Sequence, residues 1–382
     1  MIAQLTLAGL AGSRIESSPR LVPFVKWPGG KSDELTLIAA AAPPLTGRLI
    51  DPFVGSGSVV LATPAEVPAW ANDACVDLVR LFTSARASDA SVREAMDAVA
   101  LAWEAFAGLP ELYAELALAF LGERDELIPR TLIGHAPAYR QLVRSAGAGL
   151  VASFDARLER DLPTKFRRMR KVQTDVGTTL SRRDLLANLE GAVRSAFYMA
   201  IRARYNEARR VGRWDPARSA DFLFLREFAY AAMFRFNASD EFNVPYGGIT
   251  YNRKPFADKV RAMFAPAMIE RLGATEWRSI DFEPFLAESA PTSDDFVFVD
   301  PPYDSEFSAY DNAPFDARDQ WRLRDTLQEL PARVMVVIKD TPMIRQLYGS
   351  DRWVISEAAK TYMWTIKSRN DRSATHLTIT NY

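Results

Sequence analysis

The chain is poor in the residues that build many sites. Its 382 residues hold one cysteine, Cys75, and two histidines, His135 and His376. A disulfide framework and a cysteine-built zinc site are excluded, and one lone thiol fits a reducing compartment. A histidine-centred metal or general base is equally disfavoured, so no metal site is expected. No apolar run approaches the ~20 residues a membrane span needs, and no early positive charge precedes an apolar core as in a secretory signal. The reading is a cytoplasmic protein without a membrane partner. The formal net charge is −1, which gives no global attraction for a polyanion. The charge is unevenly placed, however. Residues 157–218 carry 16 Lys and Arg against 7 Asp and Glu, whereas 86–156 carry 6 against 10. A basic surface confined to one segment is expected of a nucleic-acid binder with a neutral remainder.

Length predicts two domains, or one with a sizeable insertion. Residues 1–20 read as a loosely ordered lead-in. A helix is expected over Ser32–Ala41, with Ser32 or Asp33 as cap. Arg48–Asp51 is a short strand running into Pro52-Phe53-Val54-Gly55-Ser56-Gly57-Ser58, a helix starts near Val59, and Val67–Asn72 is a second strand ending at Asp73. A strand, a glycine-rich turn, a helix, a strand and then an acid form the order of a nucleotide-binding half-sheet. From about residue 91 the pattern turns helical, broken near Gly108-Leu109-Pro110, Gly134 and Gly147–Gly149. Asn237–Asn252, dense in Asn, Gly, Pro and aromatics, reads as a hairpin or extended loop. Strand signals resume at Asp294–Asp300, Arg333–Ile338 and His376–Thr380. The outline is an α/β domain from 21–90 and 255–382, with a helical insertion and hairpin over 91–254.

The most informative motif is Asp300-Pro301-Pro302-Tyr303, which stops the apolar run Phe296-Val297-Phe298-Val299. Two prolines end a buried strand and hold its carboxyl end open, where open α/β sheets place ligands. A carboxylate, two carbonyls without a competing N–H and an aromatic ring suit a flat base with an exocyclic amine. A plain strand-terminating turn explains the motif in isolation equally well. Glycines in the 53–57 turn allow close backbone approach, although the full dinucleotide fingerprint and a phosphate-cradling Gly-Lys-Ser/Thr are both missing. Asp73 stands where an acid accepts from ribose hydroxyls, or simply caps a helix.

Taken together, Phe24–Lys31, Asp51–Gly57, Arg235-Phe236-Asn237 with Glu241–Gly247, Asp300–Tyr303 and the closing Leu377–Tyr382 resemble the Dam-type DNA adenine-N6 methyltransferases. The blocks occur in the family's order and span most of the chain from Phe24 onward. The resemblance implies a Rossmann-like methyltransferase sheet, S-adenosylmethionine as donor and double-stranded DNA as substrate, in a bacterial or phage setting, with a cognate restriction endonuclease as a conceivable companion. It implies that Trp27, Gly29, Gly30 and Lys31 border the donor's methionine end, Lys31 facing either the donor's carboxylate or the target pocket. Asp51, Phe53, Gly55 and Gly57 would lie along the donor, with Asp73 on its ribose and Asp281-Phe282 at its adenine. Asp300 and the Pro301 carbonyl would accept from the target amine beside Pro302, and Tyr303 would stack on the extruded adenine. Arg235, Asn237, Asn243, Pro245 and Tyr246 would form the DNA-contacting hairpin, with Arg the commonest reader of guanine. Gly247-Gly248-Ile249 departs from relatives that recognise GATC, which place a basic residue and an aromatic after this glycine, so the resemblance does not extend to that site. The insertion is also longer than in compact members, and Arg167, Arg168, Arg170 and Lys171 could grip phosphates. A cytosine-N4 methyltransferase and an inactive DNA-binding regulator are the competing readings.

Overall fold

The computed structural model describes residues 12–18, 20–302, 309–310, 313–361 and 373–382. Two compact units emerge, one from Met1–Ser88 with Met263–Tyr382 and one from Asp89–Ala262.

The first unit is built on a sheet. Strands β1 (Leu49–Asp51), β2 (Ala69–Asn72), β3 (Thr275–Arg278) and β4 (Phe296–Val299) precede two short strands, β5 (Ala309–Tyr310) and β6 (Ala313–Pro314). Then follow β7 (Arg333–Lys339), β8 (Val354–Thr361) and β9 (Ser373–Thr380). The main sheet runs β3-β2-β1-β4-β7-β9-β8. Its first five members are parallel, while β9 runs antiparallel to both β7 and β8. All four residues of β4 are buried, as a strand covered on both faces requires. On one face Ile50, Val297, Val299, Val334 and Val336 pack against Phe282, Phe285, Leu323, Leu327 and Ile344 of three helices.

Chain order reverses between β1 and β4, and such a reversal opens a crevice at the strand carboxyl ends. Leu49 is level with Phe296 and Ile50 with Val297. The acid that ends β1, Asp51, and the acid just past β4, Asp300, are therefore delivered to the same edge.

Several expected elements differ in detail. Ser32 and Asp33 cap nothing. The segment is a 3-10 turn, Lys31–Glu34, leading into the helix Leu35–Ala41, and neither start has a side-chain cap bond. Strands β3 and β8 carried no strong sequence signal. Gly134 breaks nothing and lies inside the helix Ile128–Ser145.

The second unit is helical over Ala90–Ala105, Pro110–Leu121, Ile128–Ser145, Leu150–Val176, Arg182–Arg210 and Pro216–Phe228. Leu150, Phe154, Leu158, Leu162 and Phe166 recur at four-residue spacing along one buried stripe. Trp103 sits at the centre against Phe224 and Phe228, with the buried Arg194 guanidinium 4.5 Å from its ring. Among the four basic residues singled out on the 150–176 helix, Arg170 donates to Asp125 at 2.9 Å and lies over Phe120, and Lys171 pairs with Asp175. Arg167 and Arg168 are exposed. No helix among the described residues is long and apolar enough to cross a membrane.

Candidate active site

The crevice at the β1/β4 reversal is a cavity of about 320 Å³, a size typical of small-molecule sites. Trp27, Gly29, Gly30, Lys31, Asp51, Phe53, Gly55, Asp73, Asp281, Phe282, Asp300, Pro301 and Pro302 all line it. Gly57 does not. Its φ of +78° lets the chain turn into the short helix Ser58–Leu61, and a Cβ there would stand 3.2 Å from Phe82 Cζ. Tyr303 lies outside the described residues.

At one end Asp300 follows the buried strand β4. Its Oδ1 is 2.6 Å from Lys31 Nζ, with Lys31 only 3% and Asp300 18% exposed. The same ammonium donates to Gly29 O at 3.1 Å and has Glu34 Oε1 at 3.9 Å. The sequence left two positions open for Lys31, and the ammonium is paired with Asp300. Behind it, Glu34 Oε2 is 2.8 Å from His376 Nδ1 on β9, both side chains buried. Pro302 O accepts from Gln320 Nε2 at 2.9 Å, which fixes the turn after Asp300.

The floor is the turn after β1. Gly55, at φ +49°, donates its N–H to Asp73 Oδ2 at 3.1 Å, while Asp73 Oδ1 accepts from Cys75 N at 2.9 Å. A Cβ at Gly55 would come within 2.9 Å of Trp27 Cδ1, so this glycine is needed for close packing on the indole as well as for its φ. Asp51 is buried and accepts from Phe53 N at 3.1 Å. Burial above all, then repulsion from Asp300 and Asp73, holds its carboxyl well above the usual carboxylate range, against the Phe53 N–H and the Lys31 charge. Among the described residues, Asp51, Asp73, Asp281, Asp300 and Asp319 line the cavity beside Lys31, with Arg322 bonded to Asp281 and Asp319. Such a lining favours a cationic guest.

At the far end Phe53, Phe282 and Phe315 pack on each other with ring centroids 5.6–5.8 Å apart and form an aromatic wall. Asp281 caps the helix Phe282–Ser289 through a bond to Glu283 N and accepts from Arg322 at 2.9 Å. Sequence reading missed Phe315, Glu34, His376 and Asn72, which also touch or support the cavity. The available signals were adjacency in one case, Asn72 preceding Asp73, and rarity in another, His376 being one of two histidines. Glu34 is one helical turn past Lys31, and Phe315 had no signal at all.

The hairpin belongs to the second unit. Two antiparallel bridges, Ala229 to Tyr246 and Phe236 to Phe242, close it among the described residues, with the Phe236 and Phe242 rings buried against Phe234. Asn237 is spent on the tip, accepting from Ser239 N and Glu241 N and donating to Glu241 Oε2. Arg235 is exposed and donates through Nε to Asn243 Oδ1 at 3.1 Å. Pro245 O accepts from Tyr230 N. Tyr246 is turned inward, its ring against Trp103 and Tyr198 and its hydroxyl donating to Asn252. Gly247 has the Tyr251 ring where a Cβ would stand, and Gly248 has a φ of +92°. That packing accounts for the unusual glycine pair. Ala231 and Ala232 both adopt left-handed backbone, φ 52° and 53°, at the hairpin's base, a strained conformation for residues with a Cβ. The fully buried Arg226 braces them by donating to Ala232 O and Met233 O.

Comparison with known proteins supplies the family. A family model for D12 class N6 adenine-specific DNA methyltransferases matches residues 27–149 and 167–363. The Type II methyltransferase M.CviBI of Paramecium bursaria Chlorella virus NC1A is 30% identical over 198 residues, 49% of this chain and 72% of the relative. The Retron Ec67 DNA adenine methylase of Escherichia coli is 30% identical over 222 residues, 56% of this chain and 74% of the relative. The DNA adenine methylase of Escherichia coli (strain K12) is 28% identical over 162 residues, 40% and 53% of the two chains. A sheet whose reversal point presents Asp300, Lys31 and a glycine turn around one acidic cavity, matched by this family along most of its length, has one assignment: the chain belongs to the D12 class of N6 adenine-specific DNA methyltransferases.

Proposed function

We propose that the cavity binds S-adenosylmethionine and that Asp300 presents to it the N6 amine of an adenine extruded from double-stranded DNA. The predominance of acids in the described lining carries this reading, because the donor is a cation whose two ends differ. The Phe53 and Phe282 rings with Asp281 suit its adenine, Asp73 its ribose, and the Trp27–Lys31 loop its methionine end. Bound there, S-adenosylmethionine supplies a methyl group activated by positively charged sulfur.

The chain's own residues do the rest. Adenine's amine is a poor nucleophile because its lone pair is delocalised into the ring. Lys31 engages Asp300 Oδ1 and orients the carboxylate. An amine hydrogen donated to that carboxylate, and the second to the Pro301 carbonyl, pull the nitrogen toward tetrahedral geometry and stabilise its developing positive charge. Neither histidine nor cysteine is needed as nucleophile.

In the hairpin, Arg235 and Asn243 are the base readers. The Nε bond leaves both Nη groups of Arg235 without a partner among the described residues, the fork that fits guanine O6 and N7. Asn237 shapes the tip and Tyr246 anchors the hairpin. Replacing Arg235 by alanine is expected to weaken binding to the cognate site by about 1–3 kcal/mol relative to random DNA. Titration of both DNAs checks this, and equal losses on the two would remove Arg235 from base reading.

The direct test is expression in a methylation-free bacterial host, followed by mapping of modified adenines across the genome. One recurrent motif carrying N6-methyladenine is expected, different from GATC. Unmodified DNA from a strain producing folded protein would refute the assignment. A restriction endonuclease recognising the same motif is the partner to seek beside the gene.

A further inference from the structure

We propose that Asn72 is the positioning residue that fixes the Phe53 turn and the Asp281-Phe282 turn relative to each other, and through them the preference for adenine in the donor. The inference rests on the reading that the donor's purine lies between the Phe53 and Phe282 loops.

Asn72 ends β2, is 1% exposed, and lies between the two turns that carry those rings. Its Nδ2 donates to Ile280 O at 3.0 Å, and its Oδ1 accepts from Ile280 N at 3.0 Å. The side-chain amide thus pairs with both backbone groups of one residue, as a further rung of the ladder in which Asn72 is level with Arg278. That rung pins the backbone next to Asp281-Phe282. The second Nδ2 hydrogen goes to Pro52 O at 3.1 Å, next to Phe53, and the Asn72 carbonyl accepts from Val54 N at 2.8 Å.

One amide therefore staples the turn after β1 to the turn after β3, across the strand that separates them. Only a primary amide offers two donors and an acceptor in one plane. An aspartate of the same shape would set carboxylate oxygen against two carbonyl oxygens. An apolar isostere would strand two buried acceptors and one donor, each a larger cost than the bond itself. The neighbouring Asp73 ties Gly55 in a similar way, and Ser279 Oγ donates to Asp73 O at 2.9 Å. The amide is consumed by the backbone, so its effect on the donor is exerted through the position of Phe53, Asp281 and Phe282.

The test is equilibrium binding of S-adenosylhomocysteine and of its deaminated inosyl counterpart to wild type, Asn72→Asp and Asn72→Ser. Wild type is expected to prefer the adenosyl compound. Both variants should lose about tenfold or more for the adenosyl compound and about threefold or less for the inosyl one, because the lost bonds hold the backbone beside Asp281, the acid placed to read the amine. In turnover, the defect should appear in KM for the donor rather than in kcat at saturating donor. Folded variants that keep the wild-type preference overturn the proposal. So does failure of both variants to fold, since Asn72 would then be a determinant of the sheet. Wild type that binds neither compound overturns the donor site itself, a separate failure.

Discussion

Asp300→Ala and Asp300→Asn are each expected to lower methyl transfer by ~10³-fold, the scale of losing a preorganised electrostatic contact in a transition state. Binding of S-adenosylmethionine should change by no more than about threefold, because a donor held mainly through the aromatic wall and Asp73 retains most of its contacts. The asparagine variant matters most. It keeps shape and an acceptor oxygen, and it removes only the charge that stabilises the reacting nitrogen. It also leaves Lys31 facing a neutral amide, with Glu34 Oε1 at 3.9 Å as its remaining carboxylate in the 31–34 turn. Loss of one partner from a buried pair costs stability, about 3–5 kcal/mol in the fully buried limit and less for a carboxylate that is 18% exposed. Melting curves must therefore accompany the kinetics. Single-turnover methylation with donor and DNA both saturating separates the chemical step from binding, and wild-type rates in a folded Asp300 variant would remove this residue from the mechanism.

Asp51→Asn should make the protein sturdier and the enzyme worse. The carboxyl is buried beside two other acids and titrates well above its ordinary range, chiefly because burial penalises its charge. For a group raised in the folded state, the favourable contribution is complete below the unfolded value near 3.8 and is lost as pH rises through the folded value. Wild type is therefore penalised on the alkaline side. The variant should melt higher than wild type at pH 8 and show no such gain at pH 4. Function should move the other way. At a pH above the raised value, where the wild-type carboxyl is ionised, removing its negative charge is expected to weaken the sulfonium donor by about tenfold, ~1.4 kcal/mol. The neutral thioether product has no such charge, and its affinity should be nearly unchanged. Equal losses for donor and product would show that Asp51 shapes the turn without acting through its charge.

Much of this was legible in the residues themselves. The all-apolar β4 and the two prolines behind Asp300 announced a buried strand with an open end, and the glycine-rich turn announced the second wall. Strand β3 was hidden because Thr275-Glu276-Trp277-Arg278 is half polar, with Glu276 and Arg278 only partly buried at the sheet's edge. Strand β8 was hidden for a related reason, since it lies at the opposite edge and mixes Ser356 and Glu357 with apolar residues. Lys31 could be assigned to the cavity but not to a partner, because its pairing with Asp300 joins segments 269 positions apart in sequence, a proximity that no local pattern encodes. Asn72 was overlooked in favour of its acidic neighbour. An asparagine at a strand end is ordinary until three backbone groups are seen to converge on it.

The pairing of Glu34 with His376 has a consequence for synthesis. Strand β9 inserts between β7 and β8 and brings an imidazole to Glu34, the carboxylate beside Lys31, 342 positions from its partner. During translation the glycine turn, the hairpin and Asp300 all leave the ribosome before that strand does. A growing polypeptide thus carries both Lys31 and Asp300 before the imidazole that backs Glu34 has been made.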